Sequence, residues 1–180
     1  MKSLLRTICL IAYYTVARWF PTRPVPGWKF GYFVRRVLVR HIFERVGDNV
    51  MVKQNARFGK GRGIIVGNNS QIGERSYIGA QTRIGNDVIM GPDVVIWSVS
   101  HAFDRTDIPI NKQEGTGVRP VDIGDDVWLG QRVIIMPGVK VGSHSVIGAA
   151  SVVTKDVPEW AIMGGVPARV IRYRKVSKPT

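Results

Sequence analysis

The sequence predicts an all-β solenoid, a parallel β-helix of about five triangular coils with a helical N-terminal extension and a short C-terminal cap. Three observations carry the prediction. An apolar residue recurs every sixth position at Val66, Ile72, Ile78, Ile84, Met90 and Ile96, and glycine follows the first five. After a polar gap the beat returns at Ile123, Leu129, Ile135, Val141, Ile147 and Val153. Four residues beyond each apolar position stands a small or β-branched side chain: Ser70, Ser76, Thr82, Val88 and Val94, then Val127, Val133, Val139, Ser145 and Ser151. So strict a short period marks a solenoid before any single element is assigned.

Each hexad reads as a short strand plus a corner, and three hexads close one triangular coil. Stacked coils pair as parallel strands about 4.8 Å apart. The large apolar residue fills the prism and the small one fits beside the corner. Asn68-Asn69, Asn86-Asp87 and Asp125-Asp126 fall at corners, where Asn and Asp tolerate the backbone angles needed. Val46, Val52 and Phe58 keep the same time, but Val66 comes two residues late, so Gly59–Gly63 holds a bulged corner. Three coils precede the gap and two follow it.

The N-terminal 1–45 forms a basic, helical extension. Ile8 to Ala17 is almost wholly apolar, about half the ~20 residues that span a bilayer. No small-x-small cleavage site follows it. An interfacial helix and a helix packed on the protein or a neighbouring subunit are both compatible with this run. Pro21, Pro24, Pro26 and Gly27 break the chain. Phe30, Phe33, Val34, Val37, Leu38 and Ile42 then recur at helical spacing, with Arg35, Arg36 and Arg40 on other faces, which predicts a helix over 28–45. His41 beside that stripe reads as a packing histidine. The β-helix takes 46–156, with an inserted loop at 98–120. A C-terminal cap and basic tail, 157–180, protect the last coil's bare edge.

A 44% apolar content with 20 glycines excludes a disordered chain. Cys9 alone excludes an internal disulfide framework and fits a reducing compartment. His41, His101 and His144 match no zinc spacing, so no metal is expected. The net charge is +13, and 1–45 carries nine Lys/Arg against the single Glu44. Such asymmetry calls for an anionic partner: membrane phospholipid, a lipid-linked sugar phosphate or a nucleic acid. No nucleic-acid motif accompanies the charge. The expected location is cytoplasmic, with peripheral contact at the inner face of the cytoplasmic membrane as the option that 1–45 adds.

Three further stretches carry a resemblance. Ser100-His101 opens the gap and runs to Ile110. Ile123-Gly124-Asp125-Asp126-Val127-Trp128-Leu129-Gly130 restarts the ladder. Ile147 to Pro158 closes it, followed by Gly165-Val166-Pro167-Ala168-Arg169-Val170-Ile171-Arg172. With the hexads, over about residues 46–172, the chain resembles the hexapeptide-repeat acyltransferases, especially polysaccharide-cluster sugar O-acetyltransferases and the maltose and galactoside acetyltransferases. The resemblance implies a left-handed coil and a homotrimer with active sites between subunits. It also implies acetyl-CoA as co-substrate and a sugar or glycan acceptor, in surface polysaccharide biosynthesis.

Acyl transfer to an alcohol needs a base for the hydroxyl proton, a donor for the oxyanion and a grip on the acyl carrier. His101 stands where the family carries its catalytic histidine, and an imidazole ordinarily titrates near working pH. Asp93, Asp104 and Asp107 are candidates to hold its tautomer. Arg105, Asp107 and Glu114 on the loop are candidate acceptor contacts. Trp128 matches the family tryptophan, facing outward to line the acceptor and carrier pocket. Gly148-Ala149-Ala150-Ser151 offers the carrier a face of small residues. Lys155, Arg169 and Arg172 stand where the family places cations for its phosphates. Gln131 departs from the small residue usual after Trp-Leu-Gly and sits at the thioester channel. Asn68, Asn69 and Gln71 are candidates for a second polar active-site residue.

Other readings share these residues. N-acetylation of an amino sugar or O-acetylation of serine needs similar acid-base groups. A γ-type carbonic anhydrase shares the fold, but the gap offers only His101. A non-catalytic structural β-helix needs neither His101 nor Trp128.

Overall fold

A computed structural model describes residues 2–175 of the 180. Two-residue strands stack into three parallel faces. The first holds Arg45–Val46, Ile65–Val66, Arg83–Ile84, Asp122–Ile123 and Lys140–Val141. The second rises from Met51–Val52 and Gln71–Ile72 through Ile89–Met90 and Trp128–Leu129 to Val146–Ile147 and Ala161–Gly165. The third holds Tyr77–Ile78, Val95–Ile96, Ile134–Ile135 and Val152–Val153. The second residue of each pair points inward, so Val66, Ile72, Ile78, Met90, Ile96, Leu129, Ile135, Ile147 and Val153 are fully buried. The small series is buried with them, from Ser70 to Ser151.

Register reports the two irregularities. Within the regular stack a residue pairs with the one 18 further on, as Ile65 with Arg83. Arg45 instead pairs with Ile65, two residues late, and Gly59, Gly61 and Gly63 take up that slack at positive φ. Across the gap Arg83 pairs with Asp122 and Tyr77's neighbour Val95 with Ile134, so everything between leaves the coil and returns to the same level.

Corners are built by stacking. One column contains Asn49, Asn69, Asp87, Asp126, His144 and Trp160, all in the left-handed region. Beside it the Asn68 carboxamide accepts from the Asp48 backbone at 2.8 Å, Asn86 from Asn68 at 2.8 Å, and Asp125 from Asn86 at 2.6 Å. Asn68 and Asn69, two of the candidates for a second polar active-site group, are therefore rungs of the corner between the first and second faces. The column ends in a cluster: Asp126 accepts from Arg174 at 2.9 Å, sits 3.0 Å from His144 Nδ1, and His144 stacks on Trp160 at 4.1 Å.

Helix α1 (Lys2–Thr15) and helix α2 (Trp28–Ile42) cover the open end of the first coil. The helix expected to reach Arg45 stops at Ile42, because Glu44 and Arg45 already donate to Ile64 O. Its buried face is also not the expected one. Gly31, Arg35, Val39 and Ile42 face inward, whereas Phe30, Phe33 and Val37 are exposed. Gly31 allows this, since a Cβ there would stand 2.6 Å from Pro21 O. Arg35, fully buried, donates to the carbonyls of Val52 (2.6 Å), Phe20 (2.7 Å), Ala17 (3.2 Å) and Pro21 (3.3 Å). Tyr13, also buried, donates to Ala56 O at 3.0 Å. Val52 O and Ala56 O are edge carbonyls that have no coil beneath them, and Ala17, Phe20 and Pro21 belong to the link between the helices, so these donors satisfy both as buried polar groups require. His41, expected to pack, is exposed.

At the far end, strands Ala161–Gly165 and Ala168–Tyr173 form an antiparallel hairpin that continues the second face. Residues 176–180 of the expected basic tail lie outside the described residues.

Candidate active site

The gap is an arm with its limbs laid side by side. Arg119 donates to Ser98 O at 2.7 Å, Thr116 to Ser100 O at 3.0 Å and Ala102 to Glu114 O at 3.2 Å. His101 itself bridges Gly115 in antiparallel register. A single 3-10 turn, Ile110–Lys112, makes the tip. The Gln113 carboxamide ties the arm internally, donating to Arg105 O at 2.8 Å and accepting from Arg105 N at 3.2 Å. Ser98 anchors the root in the core, and beyond it the arm is exposed almost throughout, His101 and Glu114 included. Arg105 Nε donates to Asp107 Oδ1 at 3.0 Å, and this pairing holds the Asp107 carboxyl below the usual range.

The proposed tautomer partners are partly committed elsewhere. Asp107 belongs to Arg105. Asp93 receives two bonds from Arg75, at 2.8 and 2.9 Å, which depress its pKa, with Gln131 and Arg132 adding to the effect. Among the described residues no hydrogen bond joins His101 to Asp93, Asp104 or Asp107 within one protomer.

Trp128 stands outward on the second face, 54% exposed. Its outward row runs Ile89, Trp128, Val146, Ile162 by register, and Arg172 pairs with Ile162. At ~4.8 Å per strand, Trp128 and the Arg172 backbone are about 14 Å apart along one flat wall.

The corner after this face carries Gln131 and, one level on, Ala149 and Ala150. Ala150 donates to Gln131 O at 2.8 Å. Ala149 and Ala150 are exposed, so the corner is low and its backbone is open. Ser151 is not part of that surface. It is fully buried and its Oγ donates to Gly148 O at 2.7 Å, because the small residue of each hexad turns into the prism. Next to this corner the hairpin presents Arg169, opposite Gly164. Lys155 is exposed on a different corner, the one from which the arm also leaves.

The predicted residues thus fall into two groups. His101, Arg105, Asp107, Glu114 and Lys155 belong to the corner between the third and first faces. Trp128, Gln131, Ala149, Ala150, Arg169 and Arg172 belong to the second face and the corner following it. The whole third face lies between them, and no polar contact joins them among the described residues. Trp97, at the arm root, was not singled out from sequence. It is 42% exposed and its ring lies 5.0 Å from Tyr77, an aromatic wall on that third face. The signal was present, since Trp97 follows Ile96 where glycine follows the preceding five ladder residues.

Comparisons with known proteins agree with the architecture. The family described as bacterial transferase hexapeptide (six repeats) matches residues 63–96 and 120–155, the two halves of the ladder. The galactoside O-acetyltransferase of Escherichia coli (strain K12) is 36% identical over 142 residues, 77% of this chain and 68% of the relative. The crystal structure of a maltose O-acetyltransferase from Clostridium difficile 630 is similar with a TM-score of 0.76 at 32% identity, over 97% of this chain and 89% of that one. A galactoside acetyltransferase in complex with coenzyme A gives 0.77 at 30% identity, over 96% and 80%. Mirror-image coils do not superpose, so the hand of this coil is that of these relatives. By ladder, arm and likeness alike, the chain belongs to the hexapeptide-repeat acyltransferase family.

Proposed function

We propose that this acetyltransferase moves the acetyl group of acetyl-CoA to a hydroxyl of a sugar or glycan precursor, with His101 as general base. The observation that carries the reading is the exposed His101 at the root of an arm, with a low, cation-flanked corner at Ala149-Ala150 on the other side of the coil. His101 takes the hydroxyl proton as the acceptor oxygen attacks the thioester carbonyl. The tetrahedral adduct collapses, the carbon–sulfur bond breaks, and the proton passes to the coenzyme A thiolate. Both substrates are held together, and no acyl-enzyme forms.

The corner suits the carrier: Ala149 and Ala150 keep side chains away from the pantetheine arm, and Arg169 and Arg172 supply charge for its phosphates. Trp128 gives a flat apolar wall. Because arm and wall lie on opposite sides of one coil, the reading requires a homotrimer in which the arm of one subunit faces Trp128 of the next. Lys155, on the arm's corner, then serves the same cleft from the arm side. Glu114 and the Arg105–Asp107 pair present the polar groups that sugar hydroxyls bind.

The acceptor we favour is a lipid-linked precursor of a surface polysaccharide, supported by the charge of 1–45. A donor–acceptor screen following release of the free coenzyme A thiol tests the function, with galactosides and maltose among the first acceptors. His101→Ala should lower turnover ~10²–10⁴-fold with folding intact. Near-full activity in that variant would remove the mechanism.

A further inference from the structure

Helix α1 carries apolar side chains on both its inward and its outward side. Its inward side holds Cys9, Tyr13 and Arg6, the last donating to Ile42 O at 3.0 Å and Lys60 O at 2.6 Å. Its outward side carries Leu4, Ile8 and Ile11, spaced i, i+4, i+7, and each is more than half exposed. No charge interrupts that stripe. Scattered exposed leucines mean little, but an uncharged apolar face on one helix is a surface that water does not favour. Helix α2, packed against α1, repeats the pattern with Phe30 and Phe33, 61% and 55% exposed.

The flanks differ from the stripes. Arg18 lies over the exposed Trp19 ring at 4.5 Å and Arg23 over Trp28 at 4.2 Å. Pairs of this kind, aromatic and basic together, belong to the headgroup level of a bilayer. At 14 residues α1 is about 21 Å long, and no helix among the described residues is long and apolar enough to cross a membrane.

We propose that the outward faces of α1 and α2 dock in the interface of an anionic lipid bilayer, with the helices lying in its plane. Charge selects this occupant over a second copy of the chain. Arg6 and Arg35 turn inward, but Arg18, Arg23, Lys29 and Arg36 flank the faces. Two such faces in contact would set these cations against their own copies, with Glu44 the only acid in each 1–45 segment, whereas acidic headgroups neutralise the same charge. The surface is separate from the proposed chemistry, so it stands or falls independently of His101.

The test is sedimentation of the full chain with phosphatidylcholine vesicles containing about one-third phosphatidylglycerol, against phosphatidylcholine alone. The chain should pellet with the anionic vesicles only, and lose binding as salt rises from about 0.05 to 0.5 M. The combined Ile8→Ser, Ile11→Ser, Phe33→Ser variant should partition at least ~10-fold more weakly. It should keep the wild-type melting temperature and oligomeric state, and His101→Ala should bind vesicles like wild type. Brominated lipid should quench part of the wild-type tryptophan emission, a readout independent of any variant. Equal pelleting of wild type and triple variant, or no pelleting of wild type, overturns the proposal. So does a triple variant that changes oligomeric state, since the face then belongs to a second copy.

Discussion

The guanidinium of Arg35 reaches from the middle of α2 to the carbonyl of Val52 on the open edge of the first coil, at 2.6 Å. It also closes on Ala17, Phe20 and Pro21, so one side chain fastens the helix, the proline link and the coil. Arg35→Ala should cost roughly 2–4 kcal/mol, since it leaves buried carbonyls without donors and a cavity in place of the stem. Arg35→Lys should recover only part of this, because an ammonium cannot reproduce the planar fork. Urea unfolding monitored by circular dichroism measures both, and an Arg35→Lys variant as stable as wild type would show the fork to be dispensable.

Close stacking of corners makes a sharper demand at Gly67. A Cβ there would lie 2.6 Å from the Gly85 carbonyl carbon and 2.7 Å from Asn86 N, both backbone atoms of the next coil. Gly67→Ala is expected to destabilise by about 2–4 kcal/mol, as backbone cannot yield like a flexible side chain. Gly59→Ala is the control. Nothing lies within 4 Å of its Cβ position, and its positive φ leaves only a smaller conformational cost.

The Arg75–Asp93 pair has a pH signature of known sign. Its bonds hold the Asp93 carboxyl below the usual carboxylate range when folded, so the unfolded chain takes up protons more readily. The stabilisation is present above about pH 4 and disappears as pH falls through the folded pKa. Both partners are partly exposed, so the effect is small. Asp93→Asn should lower the melting temperature by about 1–2 °C at neutral pH. That difference should shrink as pH falls below about 4, and a gap that widened on acidification would contradict the assignment.

Separation of the arm from the Trp128 wall predicts complementation between inactive subunits. If each site takes His101 from one protomer and Trp128 from its neighbour, mixed trimers of His101→Ala and Trp128→Ala chains regenerate intact sites. Random equal mixing should restore about one quarter of wild-type sites. Sites built within one chain would restore none, and thiol-release assays on co-expressed, doubly tagged protein distinguish the two.

Much of the fold was legible because a hexad is a local rule. Inside or outside is decided by position within six residues, so Ile72, Ile84 and Leu129 are buried as the spacing predicts. The late beat at Val66 announced the bulged corner, and the missing beats after Ile96 announced the arm. Trp128 faces outward because it occupies the first position of its strand pair.

Burial in the helices was not legible in the same way. The apolar stripe of α2 pointed to Phe30, Phe33 and Val37 as the packed face, yet Arg35 and Gly31 are buried instead. What lies beneath that helix is the Val52 carbonyl of the coil's open edge together with the carbonyls of the 17–21 link, and their need for donors depends on segments remote from the helix in sequence. Ser151 was placed on the carrier's surface by its neighbours Ala149 and Ala150, but the hexad turns it inward.

The sequence by itself determined the coil, its period, its interruption and the residue types of an acyl-transfer site. Only the tertiary structure decided that the arm and the Trp128 wall lie on opposite sides of the prism. It also decided that α2 turns Arg35 inward while Leu4, Ile8, Ile11, Phe30 and Phe33 of the two helices stay exposed. The physical reason is common to both: a repeat fixes each residue relative to its own coil, whereas which corners face each other, and what covers an open edge, depends on groups far apart in the chain.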